Sequence, residues 1–138
     1  MKNILLYLLF LTISLGSCRD KSTPDGEYTT NIREAQKWVV GTWKLTNAVY
    51  QIPNTTIPNV NMTISGNKIR LLQDGKQIDN VDFEVIQTDH TLQLKTNAQR
   101  RQDNAYLHNL DIKISNNKML LYIYNIADGP EYTFERVK

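Results

Sequence analysis

The spacing of apolar residues along this chain changes once after the leader. Ile32, Ala35 and Val39 fall near one face of a short helix. Asn31 stands where a cap is needed, Glu34 follows three positions on as in a capping box, and Gly41 suits the residue just past a helix end, where a left-handed backbone is wanted. From Thr42 the period becomes two. Trp43, Leu45 and Val49 share one parity, as do Ile69 with Leu71, Val81 with Phe83 and Val85, Leu92 with Leu94, Leu110 with Ile112 and Ile114, and Tyr132 with Phe134. Lys44, Arg70, Asp82, Glu84, Gln93, Lys95, Asp111, Lys113, Thr133 and Glu135 lie between them and are expected to face water.

This alternation predicts strands near 42–50, 61–65, 67–73, 77–87, 90–97, 106–115, 118–125 and 131–137. They are separated by turns at Ser65-Gly66-Asn67, Asp74-Gly75, Thr88-Asp89, Asn116-Asn117 and Asp128-Gly129-Pro130. About eight antiparallel strands joined in sequence order predict an all-β fold, a small up-and-down barrel preceded by a short N-terminal helix. A two-sheet sandwich is the alternative. Residues 119–124 are apolar on both faces, so their outer face is expected to pack under the helix or to meet a partner.

Up-and-down connectivity puts Trp43, heading the first strand, at the same end as Arg136, closing the eighth. Arg136 shares inward parity with Tyr132 and Phe134, and an unpaired buried charge costs several kcal/mol. Stacking on the indole recovers about 1–2 kcal/mol, and rim carbonyls take the other donors. Trp43 and Arg136 are therefore assigned to barrel closure at a floor. The same count gathers the long connections Gln51–Val60, Thr96–Ala105 and Asn125–Pro130 at the opposite end, a mouth where a ligand would enter.

The ligand-binding candidates lie at that mouth. Ile52 and Ile57, stiffened by Pro53 and Pro58, would form an apolar lid; Tyr106, His108 and Tyr132 would point inward; Arg100 and Arg101 would attract an anionic headgroup. Each has a plainer reading, as a core-sealing isoleucine, a hydrogen-bonded structural histidine or a solvated arginine. Asp79, expected near His108, reads as a turn-end hydrogen-bonding residue. No catalytic residue, metal ligand or cofactor is predicted. His90 and His108 fall at opposite ends, no H-x-x-x-H or C-x-x-C spacing occurs, and Asp82, Glu84 and Glu135 should face out.

The start of the chain carries a different signal. Lys2 precedes the apolar run Ile4 to Ile13, which is too short to cross about 30 Å of hydrocarbon and reads as a secretory signal. Leu15-Gly16-Ser17-Cys18 resembles the lipobox of bacterial lipoproteins. That resemblance implies cleavage before Cys18, lipid attachment on its thiol and acylation (palmitate-type chains) of the new terminus. Cys18 is the only cysteine, so no intrachain disulfide is possible. The expected organisation is a signal peptide at 1–17, a lipidated cysteine and flexible tether at 18–29, and a barrel domain at 30–138. The expected location is the bacterial cell envelope, in the outer membrane, with the N-terminal lipid in the bilayer.

Charge narrows the partners. The formal net charge is +2, and losing Lys2 with the leader leaves 15 basic and 14 acidic residues. That balance, without basic stretches interleaved with aromatics, argues against nucleic acid.

Gly41-Thr42-Trp43 resembles the G-x-W motif that opens lipocalins and related calycins, where a short helix also precedes it. Arg136 is similar to the arginine that packs across the tryptophan there. Glu131 to Lys138 resembles the ending of lipocalin-like domains in bacterial lipoproteins, so the resemblance covers roughly Thr30 to Lys138. It implies a non-enzymatic, membrane-anchored barrel that binds a small apolar or amphipathic ligand at its mouth. The alternative is a protein-interaction module, an envelope subunit or an inhibitor of an external hydrolase, using the mouth loops or the outer Leu120, Tyr122 and Tyr124 face. A deep pocket favours the first, and a filled interior with an exposed aromatic patch favours the second.

Overall fold

Period-two alternation produces strands because only an extended chain sends successive side chains to opposite faces. The computed structural model describes residues 27–49 and 56–138. Helix α1 (Ile32–Val39) leads into β1 (Gly41–Val49), β2 (Val60–Ser65), β3 (Lys68–Gln73), β4 (Lys76–Gln87), β5 (Leu92–Thr96), β6 (Leu110–Ile114), β7 (Lys118–Tyr122) and β8 (Glu131–Arg136), with a 3-10 segment (Gln102–Leu107) between β5 and β6. Every strand pairs antiparallel with its neighbours in sequence, and β1 closes on β8 with Trp43 opposite Arg136. The barrel of eight strands is thus closed and leaves no edge along its circumference. The leader, Cys18, the tether up to residue 26 and the lid residues Ile52 and Pro53 lie outside the described residues. Among those described, no helix is long and apolar enough to cross a membrane.

The inward set fills the interior. Trp43, Met62, Ile64, Ile69, Leu71, Leu94, Ile112, Ile114, Met119, Leu121 and Phe134 are all essentially inaccessible. α1 lies across the floor end, packing Ala35 and Val39 inward against β4 and β6. β5 starts opposite Ile112, and the exposed backbone beyond it is covered by Thr29, whose N–H donates to the Ile114 carbonyl at 2.9 Å.

The structure corrects several expectations. β6 begins at Leu110, not near 106, because residues 102–107 coil into the 3-10 segment. Local polar side chains take over the backbone there: the Asn104 Oδ1 accepts from Arg101 N, and the Thr96 hydroxyl donates to the Leu107 carbonyl. Val49 is 48% exposed because the β1–β8 register shifts between Leu45 and Asn47, which flips the parity beyond and turns Ala48 inward. Phe83 is half-buried, not sealed. Asp111 and Thr133 do not face water. Both are buried on the outer surface of the sheet, where Asp111 accepts from the Thr91 hydroxyl and the Tyr124 N–H.

The start of α1 also differs in detail. Asn31 Oδ1 accepts from Arg33 N at 2.9 Å and Glu34 N at 3.3 Å, but Glu34 does not reach back to the cap. Thr29 Oγ1 takes the Asn31 N–H and donates to the Glu34 carboxylate at 2.6 Å, so a threonine completes the box. The outer face of β7 does not pack under α1. It is flanked instead by Lys113, whose ammonium stands 5.1 Å from the Tyr122 ring centroid.

Candidate functional site

At the floor, α1 and its C-cap Val40 deliver three carbonyls to one place. Trp43 is fully buried with its indole N–H donating to the Val39 carbonyl at 2.8 Å. The Arg136 guanidinium stacks 4.2 Å above the indole ring. It donates to the Val40 carbonyl at 2.8 Å and also to the carbonyls of Trp38 and Asn116. Burial pushes the guanidinium pKa down from its ordinary value, yet a guanidinium stays charged, and the ring and carbonyls face that charge with negative ends. Gly41 is required here for a different reason from the one its position suggests. It is the first residue of β1 at φ +147°, and a Cβ on it would stand 2.0 Å from Arg136 Nη1. This end is a closed plug.

The mouth is built on Asn104, a fully buried asparagine at the kink of the 3-10 segment. Its Nδ2 donates to Asp79 Oδ2 at 2.7 Å and to the Gln99 carbonyl at 2.8 Å. Both acceptors fix the amide's orientation, so Oδ1 accepts, from Arg101 N at 2.9 Å and from His108 Nε2 at 2.8 Å. The bulge in β4 near Ile78 turns Asp79 toward this cluster. Asp79 also pairs with Arg101 at 3.3 Å, and Arg101 in turn donates to the Ile78 carbonyl and pairs with Asp103. Burial lowers the His108 pKa, and the Arg100 guanidinium adds to that, so the ring is neutral at pH 7. Asp79 and His108 are therefore brought together, but through the Asn104 amide.

The seven ligand-binding candidates separate. Arg100, His108 and Tyr132 line one depression of about 270 Å³ at the mouth, with Ala105, Asn109, Leu110, Ile123 and Pro130 as its other walls. Tyr106 is beneath it in the interior, its ring edge-on to Tyr132 at 4.7 Å and to Phe134 at 5.7 Å. Arg101 is turned away to Asp79 and Asp103. Ile57 is 42% exposed. Asn104 was missed by alternation, because a single asparagine between Asp103 and Ala105 looks like any loop residue; its only sequence signal is the polar cluster from Asn97 to Asn104.

A third feature lies on the outer wall. Asp111 draws the β4–β5 turn toward the end of β7, and His90 stacks on Tyr124 with centroids 5.6 Å apart. His90 is thus placed beside Tyr124, just past the end of β7. Burial raises the Tyr122 pKa above its ordinary value, helped by the Asp111 and Tyr124 charges. Tyr124 and Ile126 remain 42% and 54% exposed. Among the described residues no group of three His, Cys, Asp or Glu side chains is placed to hold a metal ion.

No protein-family model, curated protein or solved structure matches this chain.

Proposed function

We propose that this chain is a membrane-anchored, lipocalin-like lipoprotein of the bacterial cell envelope, placed in the outer membrane, that binds a small amphipathic molecule at its barrel mouth without transforming it. One observation carries this reading: Arg100, His108 and Tyr132, expected together at the mouth, line a single depression with an apolar wall of Leu110, Ile123 and Pro130. A cation and a ring nitrogen beside apolar surface suit a ligand with one polar end. The volume of about 270 Å³ lies just below the range of about 300–1,000 Å³ usual for drug-sized ligands, so the ligand is small. A non-enzymatic role is supported by the engagement of Asp79 and His108 Nε2 with Asn104, which occupies the pair as a structural clamp. The anchor rests on the leader and on Cys18.

Native mass spectrometry of the full-length protein in detergent, after exposure to envelope extract, tests the binding. A retained small molecule that is lost in Leu110→Asp is the expected result, and no retained molecule would defeat the reading. Cys18→Ser is expected to leave the protein unlipidated and free of membranes; continued membrane fractionation would refute the anchor.

A second reading is favoured by the flank: half-buried Tyr122, exposed Tyr124 with its stacked His90, and exposed Ile126 fit a protein-interaction module. Under that reading Tyr124→Ala abolishes capture of an envelope protein and Leu110→Asp does not.

A further inference from the structure

Between β5 and β6 the chain leaves the sheet. β5 ends with Thr96 opposite Phe83, and β6 begins with Leu110 opposite Leu94, so the mouth half of β4 has no strand on that side. Residues 97–109 cross this opening and drop the Tyr106 phenol into the barrel, where it is 5% exposed. The ring lies at 70° to Tyr132 and 88° to Phe134, edge-to-face geometry that any aromatic ring would favour in that space. The depression of about 270 Å³ is on the other side of the same segment, walled by its Ala105 and His108, and Tyr132 belongs to both.

The segment is also held differently from the strands. Beyond Asn97, which still pairs with Asp82 of β4 through backbone and side chain, its polar ties to the barrel are made by side chains: Asn104 and Arg101 to Asp79, Arg101 to the Ile78 carbonyl, the Thr96 hydroxyl to the Leu107 carbonyl, and Asn109 Oδ1 to Thr96 N at 2.7 Å. Asn109, where it rejoins β6, has φ +56°, a conformation open to few residues other than glycine. Apart from the buried Tyr106 and Leu107, the segment is held by polar side-chain contacts rather than by a strand ladder, so it can open without melting the strands.

We propose that residues 97–109 are a displaceable stopper, and that the space held by the Tyr106 ring is the inner half of a site for a small aromatic anion. This deepens the mouth reading given above and rests on it. The ligand's ring replaces the phenol against Tyr132 and Phe134. Its anionic group is met by Arg100, which is exposed, lines the depression and has no hydrogen bond or ion pair among the described residues. The polar latch sets how often the site is open, and apparent affinity scales with the open fraction.

The test titrates full-length protein in detergent with 2-naphthoate, a fused-ring carboxylate, by calorimetry, with amide exchange read by mass spectrometry. Wild type is compared with Asn104→Ala and Thr96→Val, which loosen the latch at separate points, and with Arg100→Gln. Near-ultraviolet circular dichroism shows which variants keep the packed barrel. Naphthoate is expected to speed exchange across 97–109 while the strands stay protected. The loosened variants should bind it roughly tenfold more tightly, and Arg100→Gln more weakly. A packed, loosened variant that binds no tighter than wild type overturns the stopper, as does exchange in 97–109 that occurs only with global unfolding. Absence of naphthoate binding in every protein overturns the aromatic-anion site. A different molecule retained from envelope extract would then still leave the mouth as a ligand site.

Discussion

The two ends of this barrel are closed by opposite chemistry. At the floor a cation rests on an indole and on backbone carbonyls, groups that cannot change protonation or swing away without unmaking α1 and β1. At the mouth a buried asparagine gathers a carboxylate, an imidazole and a loop backbone through side chains alone. The floor is made of α1 and β1 themselves, so its energy is the energy of the fold. The mouth segment adds no strand, though its Tyr106 and Leu107 join the same buried core, and among the described residues every buried side-chain nitrogen or oxygen has a partner, so it closes without a polar debt. A plug of the first kind defines a fixed end; a plug of the second kind suits the end where something enters.

Variants at each end sharpen that contrast. The largest effect is expected from Trp43→Ala, which removes a fully buried ring and strands Arg136, lowering global stability by about 3–5 kcal/mol in denaturant unfolding. An unchanged midpoint would remove the floor's structural role. Gly41→Ala follows at about 1–3 kcal/mol, since the new methyl overlaps Arg136 Nη1 on a backbone at φ +147°. Arg136→Ala in the same background should cancel most of the steric part, a coupling that a double-mutant cycle reads directly.

At the mouth Asn104→Ala leaves Asp79, His108 and the Arg101 N–H short of a partner and is expected to cost about 1–3 kcal/mol. Its signature should be local, with faster exchange in 97–109 and little change in β2 and β3; uniform acceleration would erase the distinction between the ends. The smallest effect is pH dependence. The folded His108 pKa lies below its ordinary value of 6.5, so the folded state binds fewer protons than the unfolded chain as pH falls. Stability is therefore full above about pH 6.5 and declines as the pH drops through the folded pKa. His108→Gln should flatten that slope in midpoints measured between pH 7 and pH 5, and a slope equal to wild type would assign it to other groups.

Much of this was readable along the chain, and the places where reading failed share a cause. Alternation located all eight strands and their order, because parity depends only on neighbours in sequence. The pairing of Trp43 with Arg136 followed from counting strands and knowing that a buried charge needs company. Val49 escaped because one extra residue at a bulge reverses every later side chain, and no turn signal marks it. Asp111 was read as solvent-facing because its covering groups, Thr91 and the Tyr124 backbone, arrive from β-turn and loop positions distant in sequence. At the mouth Arg100, His108 and Tyr132 were named and do converge, whereas Arg101 was indistinguishable from Arg100 until the bulge in β4 turned Asp79 toward it.

By itself, then, the order of residues determined eight antiparallel strands in sequence order, most of the inward side chains, and where the floor of a barrel would lie, since period, parity and charge burial act between near neighbours or across a fixed strand count. That the strands close into a barrel was decided by the tertiary structure. Only the tertiary structure decided that residues 102–107 coil across the mouth instead of extending β6, that Asn104 is their buried hub, and that Tyr106 rather than open space meets Tyr132. Those outcomes depend on nearby polar side chains taking over the loop backbone and on the Asn104 and Arg101 ties to Asp79 and Ile78 more than twenty residues away, and neither leaves a periodic trace in a sequence.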